Sequence, residues 1–372
     1  MATLFDPVRI GPLELANRTV RSATWEGLAE DDGRATERLG DMMVELAEGQ
    51  VGLIVTGFAY VQWGGQGTTG MIGIHSDEMI PPLQAVTRRV HDAGGRIAMQ
   101  LVHCGGRSRS KITGEPVLAP SGGPDELYPE EPREMTPGEI ESLVEAFGEA
   151  ARRARAAGFD GVQLHAAHGF LLNQFLGPRT NRRTDEWGGS IEGRSRALME
   201  SYRRVRTAVG EDFPVLIKIN GQDFIEGGLE IDDTVEVCRR LCDEGIDAIE
   251  VSGGTAISGA LGPAREEIDS PAREAYFRPE VTRIREAVTC PVIQVGGMRS
   301  VEVINDVLGS GEADLVAMSR PLIAEPDLVR RWLSGDLRRS LCSSCSKCFG
   351  SARGHGLRCM DGAKARRAGR DI

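Results

Sequence analysis

The chain has 372 residues, 40% of them apolar but only 5% aromatic, enough to bury one large aliphatic core. Its 55 acidic and 44 basic residues leave a net charge of −11, which argues against a nucleic-acid backbone as partner. No apolar run approaches the roughly 20 residues of a membrane span, and the opening MATLFDPVRIG lacks the basic-then-apolar pattern of a secretory leader, so a cytoplasmic protein with reduced cysteines is expected.

In chain order, residues 5–17 alternate apolar positions around Gly11 and Pro12 and predict a β-hairpin capping the closed end of the fold. Apolar strand-like runs then recur at 19–23, 52–56, 96–102, 161–165, 215–219, 248–251, 292–295 and 315–318. Periodic, helix-like segments at 81–93, 136–157, 194–209, 231–244, 279–287 and 301–308 fall between them. Eight such units predict an α/β fold with a parallel sheet, closed into a (β/α)8 TIM barrel. An open doubly wound sheet would place a glycine-rich fingerprint after the first strand, and VRSATWEG carries none. Two long Gly- and Pro-containing connections, 113–132 and 258–277, are expected as loops at the barrel mouth. Composition shifts near Leu337, so a barrel over 1–337 and a Cys-rich extension with a tail over 338–372 are expected.

Chemistry in a β/α barrel gathers at the C-terminal ends of the strands. His165 and His168 stand where the fourth strand gives way to a loop, and a histidine pair there can hydrogen-bond an oxygen on which charge develops. The seventh strand runs into Gly296, Gly297 and Met298 before Arg299 and Ser300 open a helix; the eighth runs into Ser319 and Arg320. Glycine turns and helix starts after these two strands form the usual phosphate site of the fold. Lys218, on the fifth strand, would face into the barrel, where a lone cation is costly without an anion. Cys342, Cys345, Cys348 and Cys359 bring four soft ligands into eighteen residues, a spacing suited to a [4Fe–4S] cluster or to Zn²⁺. Cys104, Cys238, Cys242 and Cys290 share no local pattern and are read as buried thiols. The basic run 364–370 is a solvated end or a docking surface.

The stretch GFDGVQLHAAHGFLLNQFLGPRTNRRTDEWGGS (158–190) resembles the old yellow enzyme family of FMN-dependent ene-reductases and their dehydrogenase relatives, and the resemblance extends to about Leu333. It implies non-covalent FMN, with the backbone of Ser22, Ala23, Thr24, Trp25 and Gly57 against the flavin and Gln100 on its pyrimidine edge. It places Lys218 beside the flavin N1 and O2, and the cofactor phosphate at Gly296, Gly297, Met298, Ser319 and Arg320. His165 and His168 would grip the oxygen of an unsaturated carbonyl substrate, and NAD(P)H would supply electrons. Two positions depart from the family. Trp25 stands where relatives often carry Cys or Thr, and Phe170 where ene-reductases carry the tyrosine that protonates the substrate. A phenylalanine cannot act as an acid, which leaves Tyr60 or Tyr276, solvent, or a reaction that needs no acid. Trp25, Tyr60, Phe170 and Tyr276 are the substrate-pocket candidates. Tyr202, mid-helix on the outside, is not.

The cysteine cluster resembles the iron–sulfur subgroup that includes trimethylamine dehydrogenase and 2,4-dienoyl-CoA reductase. The further flavin and nicotinamide domains of that subgroup are not expected in a chain ending at Ile372, so a cluster would call for an electron-transfer partner protein. A homo-oligomer is also implied. Two alternatives stay open: a dehydrogenase of the amine type, and a non-catalytic metal-stabilised subunit.

Overall fold

The computed structural model describes residues 2–361. Its centre is a closed ring of eight parallel strands: β1 (Thr19–Arg21), β2 (Leu53–Val55), β3 (Ile97–Val102), β4 (Gly161–Ala166), β5 (Val215–Asn220), β6 (Ala248–Ser252), β7 (Val292–Gln294) and β8 (Leu315–Met318). Each pairs with its successor, and β8 pairs back onto β1. All eight expected strands are present and the barrel is closed.

Two apolar cores hold the ring. Inside it, Val20, Leu53, Leu216, Ile293 and Leu315 form a layer that is sealed from below by Ile10 and Leu15. Those two belong to the expected hairpin, Val8–Ile10 against Leu13–Leu15. Its turn needs glycine: Gly11 has φ +52°, and a Cβ there would lie 2.0 Å from the Asp247 carboxylate at the foot of β6. The larger core lies between the strands and the outer helices. Each fully buried Leu or Ile contributes about 1.5–3 kcal/mol relative to exposure.

The outer helices follow their apolar stripes. Pro137–Ala156 starts on a capping box, in which Thr136 Oγ1 accepts from the Glu139 N–H and the Glu139 carboxylate accepts from the Thr136 N–H, with Pro137 in the first turn. Ile80–Asp92, Ile191–Val209, Ile231–Asp243, Arg278–Arg285 and Val301–Ser310 match the expected periodic segments to within a few residues. Glu37–Glu48 was not among them, although Leu39, Met43, Leu46 and Ala47 make a buried stripe. Short helices at Leu171–Leu176 and Arg320–Ala324 lie outside those segments, because six and five residues carry too little periodicity.

The two long connections are ordered by short pieces, among them a pairing of Leu118–Ala119 with Arg133–Glu134 and single turns at Gly259–Leu261 and Pro271–Arg273. Beyond residue 337 the chain folds back on the barrel mouth. Ser340 N–H donates to Arg299 O (2.9 Å), and Leu357 N–H to Glu26 O (2.7 Å). Contact is tight there: a Cβ on Gly27 would sit 2.0 Å from Ala352 O. The basic run 364–370 lies outside the described residues. Among those described, no helix is long and apolar enough to cross a membrane.

Candidate active site

Along the barrel axis the interior changes from apolar to polar. Above the sealed layer, Gln100 on β3, Gln163 on β4, Lys218 on β5, Glu250 on β6 and Ser22 just past β1 form one buried network. Gln100 Nε2 donates to Gln163 Oε1 (2.7 Å), and Gln163 Nε2 donates to Glu250 Oε2 (2.8 Å). Lys218 Nζ donates to Glu250 Oε1 (2.9 Å) and to Ser22 Oγ (2.6 Å), whose own hydroxyl donates to Glu250 Oε1 (2.6 Å). The expectation that Lys218 waits for a ligand anion is therefore corrected. Register sets Lys218 directly opposite Glu250 on the neighbouring strand, and their contact balances a buried cation with a buried carboxylate. Gln100 Oε1 is left buried without a partner.

Over this network opens a cavity of about 360 Å³. Ser22, Ala23, Thr24 and Trp25 line it from β1, Lys218 from β5, Gly296, Gly297 and Met298 from β7, and Ser319 and Arg320 from β8. Five cationic side chains, Arg107, Lys218, Arg299, Arg320 and Arg353, reach its wall and no acidic one does. In a chain of charge −11 such an excess is strongly directional. Of the five, only Lys218 has a carboxylate within ion-pair distance among the described residues.

Gly296 and Gly297 take φ values of +120° and +73°, and the Tyr276 ring packs on them so closely that a Cβ on either would come within about 3 Å of it. The adjacent helix start, expected to be open to a phosphate, is instead occupied by a carboxylate. Glu274 Oε2 accepts from the N–H groups of Arg299 (2.7 Å) and Ser300 (3.0 Å). The two guanidinium groups bolt the Cys-rich segment down: Arg299 donates to Ser340 O (3.0 Å), Arg320 to Ser344 O (3.1 Å).

Gly57 is a second correction. Its N–H donates to Glu26 Oε1 (2.6 Å), and a Cβ there would meet the other carboxylate oxygen at 2.1 Å, so Glu26, paired with Arg21, stands where a cofactor was expected.

His165 and His168 come together, ring centroids 5.2 Å apart and edge to face. His168 has φ +61° and lines the cavity, with Nε2 hydrogen-bonded to Ser252 Oγ (2.7 Å). His165 lies behind it, against the Phe170 ring at 4.8 Å, with Nδ1 buried and without a partner. Burial, together with the charges of Lys218 and Arg107, holds both imidazoles well below the usual histidine pKa, so both are neutral and each has a single N–H to give.

Phe170 is buried between Phe58 (5.2 Å) and the guanidinium of Arg107 (4.6 Å). Beyond Trp25, Phe58 and Phe170 a second chamber of about 510 Å³ continues the cavity, and those three residues, Arg107 and Arg353 line both.

The tyrosines sort differently from expectation. Tyr60 is not part of the pocket: it is fully buried, its hydroxyl donates to Asp32 O (2.8 Å), and burial raises its pKa. Tyr276 lines the cavity, but its hydroxyl donates to Pro263 O (3.0 Å). Tyr128, which sequence reasoning passed over, lines the second chamber with its hydroxyl buried and unpartnered. No local pattern around it signals this, because only the fold brings the 113–132 connection over β4. Tyr202 lies outside, as expected, its hydroxyl on Glu244 O (2.9 Å).

Of the four clustered cysteines, Cys342 and Cys348 are buried and Cys345 and Cys359 partly so, and none is joined in a disulfide among the described residues. Ser344 and Ser346 between them take φ values of +57° and +56°, and Ser344 N–H donates to Cys342 Sγ (3.4 Å). Cys345 hydrogen-bonds Asp361. Among the described residues no group of three or more Cys, His, Asp or Glu side chains stands ready to hold a metal ion. Elsewhere, Cys242 is only partly buried, and its Sγ accepts from the N–H groups of Thr289 (3.3 Å) and Cys290 (3.1 Å).

Comparison with known proteins agrees with this architecture. The model of the NADH:flavin oxidoreductase / NADH oxidase family matches residues 3–336. An NADH oxidase of Thermoanaerobacter brockii is 36% identical over 350 residues, 92% of this chain and 52% of the relative. An NADPH dehydrogenase of Geobacillus sp. (strain WCH70) is 35% identical over 324 residues, 87% of this chain and 91% of the relative. The structure of a 2-naphthoyl-CoA reductase with 2-naphthoyl-CoA superimposes with a TM-score of 0.87 at 27% identity, covering 94% of this chain and 55% of that one. The chain thus spans about half the length of the first and third of these and nearly all of the second.

Proposed function

The chain belongs to the NADH:flavin oxidoreductase / NADH oxidase family, and from that premise we propose that it binds FMN and reduces the carbon–carbon double bond of an unsaturated carbonyl compound at the expense of NAD(P)H. One observation carries the reading: a single cavity, cationic and free of acids, lined by residues at the ends of β1, β5, β7 and β8. The donors fit the cofactor. Gln100 Oε1 is an unsatisfied acceptor in the polar network beneath the cavity, suited to a ring N–H. Gly296 and Gly297, with Ser319 and Arg320 across the cavity, suit its phosphate. Lys218 suits the pyrimidine side, where it brings a positive charge already shared with Glu250.

Bound there, FMN would supply the hydride chemistry between NAD(P)H and the substrate's β-carbon. His165 and His168 orient the substrate through its carbonyl oxygen as neutral donors, which stabilise charge developing there without losing a proton of their own. Trp25, Phe58 and Phe170 exclude water from one side of the reacting bond. The remaining proton goes to the α-carbon; Tyr128 is the tyrosine on the chamber wall with a free hydroxyl.

A second reading concerns Cys342, Cys345, Cys348 and Cys359. Four thiols within eighteen residues, with left-handed serines and an N–H···S bond between them, support a [4Fe–4S] or zinc site built from residues 338–372. With iron bound, the chain would work beside an electron-transfer partner protein. A homo-oligomer is part of the same proposal, and light scattering reports it.

The test is the absorption spectrum of anaerobically purified protein with iron and zinc measured on the same sample, followed by anaerobic NADH or NADPH. Flavin bands that bleach with nicotinamide are expected. Protein without flavin would overturn the reading, and about four irons per chain would establish the cluster.

A further inference from the structure

Three of the cysteines outside the 342–359 cluster meet between the barrel and its outer helices, and none of them lines the cavity. Cys238 and Cys242 lie one turn apart on helix Ile231–Asp243, and Cys290 stands just before β7. Cys238 and Cys290 are buried, whereas Cys242 is partly open to solvent. Donors surround the Cys242 sulfur. The N–H groups of Cys290 and Thr289 reach it at 3.1 and 3.3 Å, Thr289 Oγ1 lies 3.4 Å away, and the Cys290 thiol hydrogen-bonds the same atom. Arg285 adds a cation close by, its Nη1 donating to Cys290 O (3.0 Å). Donors aimed at one sulfur favour its thiolate, the form that reacts. Burial opposes this, as do the carbonyls that end the helix, yet the bonds prevail and hold the Cys242 pKa below the ordinary thiol value. Burial pushes Cys238 and Cys290 the other way.

An accessible thiolate in contact with a second, protonated thiol is the arrangement in which oxidation ends in a disulfide rather than in higher oxides. We propose that Cys242 and Cys290 are a peroxide-sensitive thiol pair whose reversible bond locks the end of helix Ile231–Asp243 to the foot of β7. The Cys242 thiolate attacks one oxygen of hydrogen peroxide; the O–O bond breaks, hydroxide leaves and a sulfenic acid forms. The Cys290 sulfur then attacks that sulfenic sulfur. The S–S bond forms, the S–O bond breaks, and the hydroxyl leaves as water with the Cys290 proton. Two electrons pass in all from the pair of sulfurs to the peroxide. The residues bridged are 48 positions apart, and the loop they close carries β6 and the 258–277 connection. Ser252, which holds His168, and Tyr276, which packs on Gly296 and Gly297, both lie within it.

The experiment exposes the purified full chain to hydrogen peroxide, blocks the remaining thiols with iodoacetamide and maps tryptic peptides without reduction. Arg239 and Arg240 separate Cys238 from Cys242, and Arg265 and Arg285 separate Cys242 from Cys290, so each thiol reports alone. A linked pair of peptides carrying Cys242 and Cys290, about 2 Da below the sum of its parts, is expected, and dithiothreitol should release it. In the reduced protein, iodoacetamide should label Cys242 at least about tenfold faster than Cys238 or Cys290. Cys290→Ser should leave Cys242 as a sulfenic acid that dimedone traps, and under peroxide the native chain should show a higher urea midpoint than this variant. Should the variant fail to fold, the peptide map and the urea midpoint of the native chain, with and without peroxide, decide the matter. Oxidation confined to residues 342–359, Cys242 driven to sulfinic acid beside an untouched Cys290, or a bond from Cys242 to Cys238 or to a second chain would overturn the proposal. So would a bridge that leaves the midpoint unchanged.

Discussion

At the scale of single residues, the Lys218–Glu250 pair is the costliest arrangement to disturb. Both side chains are almost wholly buried, and Glu250 answers to Lys218, Ser22 and Gln163 at once. Lys218→Met should cost about 3–5 kcal/mol in urea unfolding, because it strands a buried carboxylate. Adding Glu250→Leu should recover part of that loss, since removing both charges also removes their desolvation. Proton delivery is also decided here. Phe170→Tyr places a hydroxyl beside His165 and Arg107, and the rate of double-bond reduction should rise by about 10²-fold if an acid is what that position lacks. Tyr128→Phe should lower the rate by about 10- to 100-fold in single-turnover measurements; an unchanged rate would return the role to solvent.

At the scale of elements, each strand end acts through what its neighbours place beside it. The hairpin of Val8–Ile10 and Leu13–Leu15 carries no candidate chemistry, yet Ile10 and Leu15 close the barrel under the polar network. Ile10→Ala should cost about 2–5 kcal/mol, since the cavity it leaves lies among rigid strands that cannot collapse. The helix Pro137–Ala156 should lose about 1 kcal/mol with Thr136→Ala, read by thermal unfolding. Within that cap, bonds to Arg133 and Thr136 hold the Glu139 carboxyl down at about 2, so its contribution is present above the unfolded value of 4.5 and fades as pH falls toward 2.

Across the whole molecule, stability should fall on mild acidification. Burial lowers the His103 pKa from 6.5 to about 4, and His165 and His168 shift in the same direction. A folded state that resists protonation binds fewer protons than the unfolded chain below pH 6.5. Stability is therefore full above 6.5 and lost as pH falls toward 4, on the order of 3 kcal/mol from His103 alone. Urea midpoints at pH 7.5, 6 and 5 check this, and a flat profile would mean that these rings are hydrated. The Cys-rich segment adds a coupling. Because Arg299 and Arg320 both line the cavity and hold Ser340 and Ser344, changes in residues 340–346 should alter FMN retention, read by flavin absorbance of the purified variants.

Much of this was determined by sequence alone. Recurring continuous apolar runs marked the eight strands, since strands buried on both faces need apolar residues throughout, and alternation around Gly11 and Pro12 marked the closing hairpin. Gly296, Gly297 and His168 announced the mouth of the site, because strand ends of a barrel converge there. What the sequence could not tell is which polar groups satisfy one another. Glu250 opposite Lys218, Glu26 on Gly57, Glu274 on the amides of Arg299 and Ser300, and Tyr60 turned into the core all depend on partners 25 to 32 residues away. Register between neighbouring strands decides the first pairing and the packing of loops over the closed barrel decides the others, and with them which charges are left over for a ligand.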